Sequence, residues 1–158
     1  MTEPSRPELA AVTPAMMMQI RRIERYCFAP YLYRTNLYFA RRRIRGVFLA
    51  AFLDGRLAGY IACAFHPSYM SVSDLAVSVD FRRRGVASTL LGEVLKRKHL
   101  RGRRNIRLMV DPSHADAVAL YEKFGFRAGK VRLAYYAFGD GMMMTKRIDE
   151  EGWSGANL

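Results

Sequence analysis

The residues best suited to chemistry lie in one stretch, 74–91, which reads DLAVSVDFRRRGVASTLL. An apolar, strand-like run leads into Arg82-Arg83-Arg84-Gly85-Val86-Ala87. The pattern then turns helical, with Val86, Leu90, Leu91, Val94 and Leu95 on one stripe. The first amides of a helix have no partner inside it and sit at the positive end of its dipole. Gly85 and Ala87 are small enough to let an anion reach those amides, and three guanidiniums add long-range attraction and forked hydrogen bonds. A phosphate or pyrophosphate is the guest that suits such a junction. The same residues also fit a solvated basic turn ahead of an ordinary amphipathic helix.

The junction needs a sheet to hold it. Residues 47–53, the turn signal Asp54-Gly55 and residues 57–65 read as a β-hairpin, and 70–79 and 106–110 as further strands. Ahead of them, Thr13 can cap a helix whose first turn holds Pro14 and whose stripe includes Met17, Ile20, Ile23 and Cys27. A second helix is expected over 33–43, and residues 85–100 read as one continuous helix. Ser113 stands three residues before Asp116, as in a capping box. The helix that follows buries Ala117, Leu120, Tyr121 and Phe124 and stops at Gly125. Strands over 130–138 and 142–148, around Gly139-Asp140-Gly141, end the pattern. The order gives one mixed α/β (α+β) domain over 13–148, with flexible tails at 1–12 and 149–158.

Arg82-x-x-Gly85-x-Ala87 after an apolar strand resembles the coenzyme A signature of the GNAT acetyltransferase superfamily. Ala117-x-x-Leu120-Tyr121-x-x-x-Gly125-Phe126 resembles the second landmark of that superfamily. The similarity in element order runs from about Thr13 to Ile148. Ala134-Tyr135-Tyr136, Gly139-Asp140-Gly141 and Met144 resemble the RimI-like branch, the protein N-terminal acetyltransferases. This resemblance implies a mixed, mostly antiparallel sheet flanked by helices, whose central parallel pair splays apart at the coenzyme site. It implies acetyl-CoA as co-substrate. The backbone of Arg82, Arg83, Arg84, Gly85, Val86 and Ala87 would hold the pyrophosphate, with the hydroxyl region at Ser88 and Thr89 assisting. The pantetheine arm would add to the strand edge at Leu75, Ala76 and Val77, where a backbone N–H polarises the thioester carbonyl. Tyr121 would protonate the departing thiolate; its place on a stripe with Ala117 and Phe124 also fits plain packing.

The sequence departs from the family's pattern at the base. Relatives often place Glu or His on the strand over 107–110, but Met109 stands here and cannot take a proton. His114 occupies a position where many relatives use Asn to touch the coenzyme. Asp74, on the strand facing the expected cleft, is the first candidate for the base, with a structural hydrogen bond or ion pair as its other reading. His114 is the second. His66, before Pro67, reads as a loop residue and His99 as a solvated one.

The chain has 158 residues and a net charge of +12, with 51% apolar residues, so disorder of the whole is excluded and polyanions are attracted. The basic runs 41–45 and 96–104 read as solvated faces. They contain no interleaved aromatics, so base stacking is not suggested and nucleic acid is not the favoured partner. Tyr31, Tyr33 and Tyr38 fall where the family places its acceptor-facing loop. Cys27 and Cys63 form neither a disulfide framework nor a metal site, and they lack an activating partner for a covalent thiol route. The apolar runs fall far short of the ~20 residues of a membrane span. The expectation is a cytoplasmic N-acetyltransferase, monomer or homodimer, acting without metal by direct attack. Its acceptor is a primary amine, on a protein N-terminus or a small molecule. The alternative is a catalytically weak domain of the same fold serving as a basic RNA- or protein-binding module.

Overall fold

The computed structural model describes residues 5–28, 45–136 and 139–148. The helix expected over 33–43, the tyrosines at 31, 33 and 38 and the tail from 149 lie outside them. The first element is a strand, β1 (Glu8–Ala11), followed by a 3-10 turn at Pro14–Met16 and helix α1 (Met17–Cys27), which buries Ile20 and Ile23. Thr13 contributes its backbone carbonyl to that turn, accepting from the Met16 amide at 3.1 Å; its hydroxyl makes no capping bond. Strands β2 (Gly46–Leu53) and β3 (Arg56–Phe65) form the expected hairpin, with Asp54 and Gly55 both left-handed at φ 53° and 72°. Next come β4 (Tyr69–Val77), α2 (Val86–Val94), α3 (Arg97–Leu100), β5 (Asn105–Val110), α4 (Ala115–Lys123), β6 (Arg127–Tyr136) and β7 (Gly139–Arg147).

The seven strands form one sheet in the order β1-β2-β3-β4-β5-β7-β6, antiparallel throughout except for the parallel pair β4 and β5. That pair runs in register only from Tyr69↔Asn105 to Val72↔Leu108, although β4 continues to Val77 and β5 to Val110. The separation begins where β4 carries one extra residue: Cys63 pairs with Val72 but Ala62 pairs with Asp74, leaving Ser73 as a bulge. Before the bulge, Met70 and Val72 pack into the core beneath α2, with Leu90, Leu91 and Val94. After it, Ala76 joins a second cluster beneath α1, with Ile20, Phe48 and Tyr60. One extra residue has moved the strand's apolar set from one face of the sheet to the other.

Several elements differ from the sequence reading. Residues 8–11 pair with β2, so the expected tail over 1–12 contains an edge strand. The helix expected over 85–100 breaks after Val94. Lys96 is extended (ψ 139°), which allows Leu95 and Leu100, on either side of the break, both to be buried. His99 is not solvated: with Lys96 (2.6 Å) and Lys98 (3.0 Å) it gathers on the Glu93 carboxylate, at 3.1 Å. The expected capping box is replaced by an Asx turn, in which Asp111 Oδ1 accepts from the Ser113 amide and hydroxyl, and His114 stands at the N-cap of α4. Strand β6 starts earlier than expected, and residues 139–141 belong to β7. Gly125 ends α4 as read from the sequence, at φ 86°, with the Phe126 amide returning to the Tyr121 carbonyl at 3.0 Å.

Two tests follow from this packing. A Cβ on Gly59 would lie 2.6 Å from the Ala76 carbonyl oxygen and 3.1 Å from Val86 Cγ1, between the free end of β4 and the start of α2. Gly59→Ala is therefore expected to cost about 1–3 kcal/mol in urea unfolding; an unchanged midpoint would refute this account of the packing. The second test concerns acid stability. The Lys96 ammonium first, then His99 and Lys98, hold the Glu93 carboxyl down to about 2 from its usual 4.5. A depressed folded pKa stabilises the protein above the unfolded value, and that stability is lost as pH falls from about 4.5 toward 2. Glu93→Gln should remove this component, so the stability gap between the two proteins should close over that interval; a gap independent of pH would contradict it.

Candidate active site

The donor side of the site begins where β4 ends. The Ser78 amide bonds to the Ala58 carbonyl at 2.8 Å, and a 3-10 turn at Val79–Phe81 buries Phe81 beneath the guanidiniums of Arg56 and Arg84. The loop then takes two left-handed residues, Arg83 (φ 60°) and Gly85 (φ 77°), and Gly85 is the N-cap of α2. Glycine adopts this conformation without strain and brings no side chain to cap the helix. A Cβ built there meets nothing within 4 Å, so the space before the helix is open. The first-turn amides, set at the positive helix end, face a region that an anion can enter.

A cleft of about 850 Å³ runs from this loop into the splay between β4 and β5. Of the residues singled out in the sequence, Asp74, Leu75, Ala76, Val77, Arg82, Arg83, Gly85, Val86, Ala87, Ser88, His114 and Tyr121 all border it. Two do not. Arg84 turns away to pair with Asp54 at 3.0 Å, and the Thr89 hydroxyl donates back to the Gly85 carbonyl at 2.8 Å within its own helix. Arg82 braces the loop, its Nε donating to the Val77 carbonyl at 3.4 Å. Beyond Val72, the β4 edge that faced β5 has no strand partner among the described residues. An extended ligand can add there as a strand would.

At the inner end of the cleft, Asp74 is buried on β4 and Tyr121 is buried on α4, with its ring edge-on to Phe126 at 5.8 Å. Burial pushes the Tyr121 phenol well above its usual 10, and Tyr136, Cys63 and Asp74 add to this. The phenol therefore keeps its proton throughout the neutral range and has one to donate. Burial, reinforced by Asp74, likewise pushes the Cys63 thiol far up, so it is no nucleophile. Among the described residues no three metal-binding side chains come together.

Among the lining residues to which the sequence reading assigned no site role are Cys27 and Phe28, at the end of α1, and Tyr136. Tyr136 is carried there by an irregularity in β6. Ala134 is left-handed at φ 50°, its amide bonds to Asp140 Oδ1 at 2.8 Å, and the β6–β7 register slips between Arg132 and Tyr136. Tyr135 is left exposed while Tyr136 is half-buried. The paired tyrosines beside a glycine-rich turn were the only signal in the sequence. Met109 lines the cleft from β5.

Residues 15–126 match the acetyltransferase (GNAT) family. The chain belongs to this family. The [ribosomal protein bS18]-alanine N-acetyltransferase of Salmonella typhimurium is 31% identical over 104 residues, 66% of this chain and 70% of that protein. An N-alpha-acetyltransferase of Saccharolobus solfataricus is 32% identical over 113 residues, 63% and 68% of the two chains. In fold, Ard1 from Thermoplasma volcanium superposes with a TM-score of 0.81 at 23% identity, covering 91% of this chain and 99% of that one. Arabidopsis thaliana Naa50, solved with the bisubstrate analogue CoA-Ac-MVNAL, gives 0.79 at 24%, covering 90% and 99%. The mostly antiparallel sheet with one parallel pair is the GNAT fold expected from the sequence. As a GNAT acetyltransferase the chain takes its acetyl group from acetyl-CoA and passes it to an amine. The open, glycine-capped start of α2 and the unpaired β4 edge fit that substrate.

The two loop residues that the sequence treated alike should now behave differently in calorimetry with acetyl-CoA. Gly85→Asp puts a carboxylate and a strained φ at the anion site and is expected to weaken binding by at least about a hundredfold. Arg84→Glu breaks an exposed ion pair with Asp54 and a contact over Phe81, and should change affinity by no more than about threefold. Similar losses in both variants would mean that Arg84 reaches the ligand.

Proposed function

We propose that this acetyltransferase modifies the α-amino group of a protein N-terminus. The observation that carries the reading is the make-up of the inner cleft, where a buried carboxylate, Asp74, and a buried phenol, Tyr121, face a space that Met109 borders without a base. A peptide α-amine of pKa about 7.7–8.0 is roughly one-third unprotonated at pH 7.5, whereas a lysine amine of pKa about 10.4 is about one part in a thousand so. A site with so little base suits the weakly basic amine. Two curated relatives named for N-alpha- and alanine N-acetylation support the same class.

In this reading the thioester lies along Leu75, Ala76 and Val77, and a backbone N–H of that edge stabilises the oxyanion as the amine attacks. Asp74, directly or through one water, accepts the ammonium proton. The C–S bond breaks and Tyr121 donates its proton to the leaving thiolate. Arg82, Arg83 and the amides of Val86, Ala87 and Ser88 hold the pyrophosphate, with His114 at the coenzyme's flank. Tyr136 closes the acceptor side. A non-catalytic binding module is disfavoured by membership of an acetyltransferase family. Among the described residues no helix is long and apolar enough to cross a membrane.

The direct test is thiol release from acetyl-CoA with three peptides: one starting with a free alanine, one identical but N-blocked, and one N-blocked with an internal lysine. Turnover with the first alone is expected, and equal turnover with the lysine peptide would refute the reading. Tyr121→Phe should lower kcat by about a hundredfold with little change in the KM for acetyl-CoA, and unchanged kcat would remove its acid role.

A further inference from the structure

We propose that the end of the sheet remote from the cleft is a docking face for structured RNA. The cleft opens at the C-terminal ends of the parallel pair; this face lies at their N-terminal ends, where Tyr69 pairs with Asn105. Side chains from two separate segments interleave there. The Arg107 guanidinium lies over the Tyr69 ring, 4.3 Å from its centroid, and Tyr69 stacks on His66 at 4.2 Å with 11° between the planes. Arg103 lies 4.6 Å over Phe65 and donates from Nε to the His66 carbonyl, and Arg101 lies over the same ring at 5.5 Å. Arg101 and Gly102 are both left-handed, at φ 49° and 79°, in the turn that brings Arg101 there.

What distinguishes these cations is a ring beneath them with no carboxylate beside them, whereas Arg56 and Arg84, which lie over Phe81, are both held by carboxylates. Arg84 is paired with Asp54, Arg56 with Asp80, and Lys96, Lys98 and His99 with Glu93. Among the described residues no carboxylate pairs with Arg101, Arg103 or Arg107. Their guanidiniums rest over aromatic rings, which hold them in place while leaving terminal N–H groups to an acceptor. Three neighbouring charges with no carboxylate partner among the described residues complement a chain of phosphates, and guanidiniums beside stacked rings suit unpaired bases. A membrane surface fits less well, because Phe65 and Tyr69 are half-buried beneath the cations. The large exposed apolar side chains, such as Met18, Val131 and Leu133, lie on other elements. This face does not depend on which amine is acetylated.

The test is fluorescence anisotropy with a short labelled RNA hairpin over a range of salt. The triple change Arg101→Gln, Arg103→Gln, Arg107→Gln is expected to weaken binding at least about tenfold and to lower the slope of log affinity against log salt by about two to three. Its affinity for acetyl-CoA should stay at the wild-type value, which certifies the fold. A variant with the same loss of charge on α1 (Arg21→Gln, Arg22→Gln, Arg25→Gln) should keep RNA affinity within about twofold. Should the triple variant fail to bind acetyl-CoA, Arg101→Gln alone, in an exposed turn, is expected to lose about threefold. Equal weakening of both triple variants, unchanged RNA binding, or capture of phosphatidylserine vesicles or polyglutamate in place of the hairpin would each overturn the proposal.

Discussion

The functional architecture depends on β4 and β5 ceasing to pair after Val72 and Leu108. A parallel pair inside a sheet normally runs to its full length, because every unpaired backbone group there costs free energy. Here the bulge at Ser73 ends the pairing and turns the strand over. The same event creates an edge for an extended ligand and carries Asp74 to the inner end of the opening. The backbone groups left over by the fold are the ones an acetyl donor can satisfy.

Charge is distributed in accordance with this division. At the start of α2, where phosphate binding is proposed, the backbone amides and the helix dipole are left to attract an anion, since Arg82 braces the loop and Arg84 is directed to Asp54. At the inner end, burial keeps the Tyr121 proton in place, as the proposed acid role requires. At the opposite end of the sheet, Arg101, Arg103 and Arg107 lie over Phe65 and Tyr69, with no carboxylate paired to them among the described residues.

Elements governed by local rules were legible in the sequence. Asp54-Gly55 specified its hairpin, Gly85 the start of α2 and Gly125 the end of α4, since each supplies a left-handed residue at the place where the chain needs one. The motifs around Gly85 and Tyr121 led to the family and to about half of the cleft lining. Features that depend on distant partners were not legible. The bulge at Ser73 has no glycine to mark it. Strand β1 is four residues long and exists because β2 offers an edge. The helix break after Val94 follows from burying both Leu95 and Leu100. Residues 96–104 contain no aromatic, yet folding lays Arg101 and Arg103 over Phe65, which precedes them by more than thirty positions. The turn of Tyr136 into the cleft rests on a strained alanine that no residue pattern announces.

The most direct measurement of the central claim is a proton–nitrogen NMR titration with acetyl-CoA, following the amides of Val86, Ala87 and Ser88. If these groups hold the pyrophosphate, their protons move downfield together, saturate at one equivalent and exchange more slowly with solvent. Saturable binding that leaves the three amides unmoved would contradict the account.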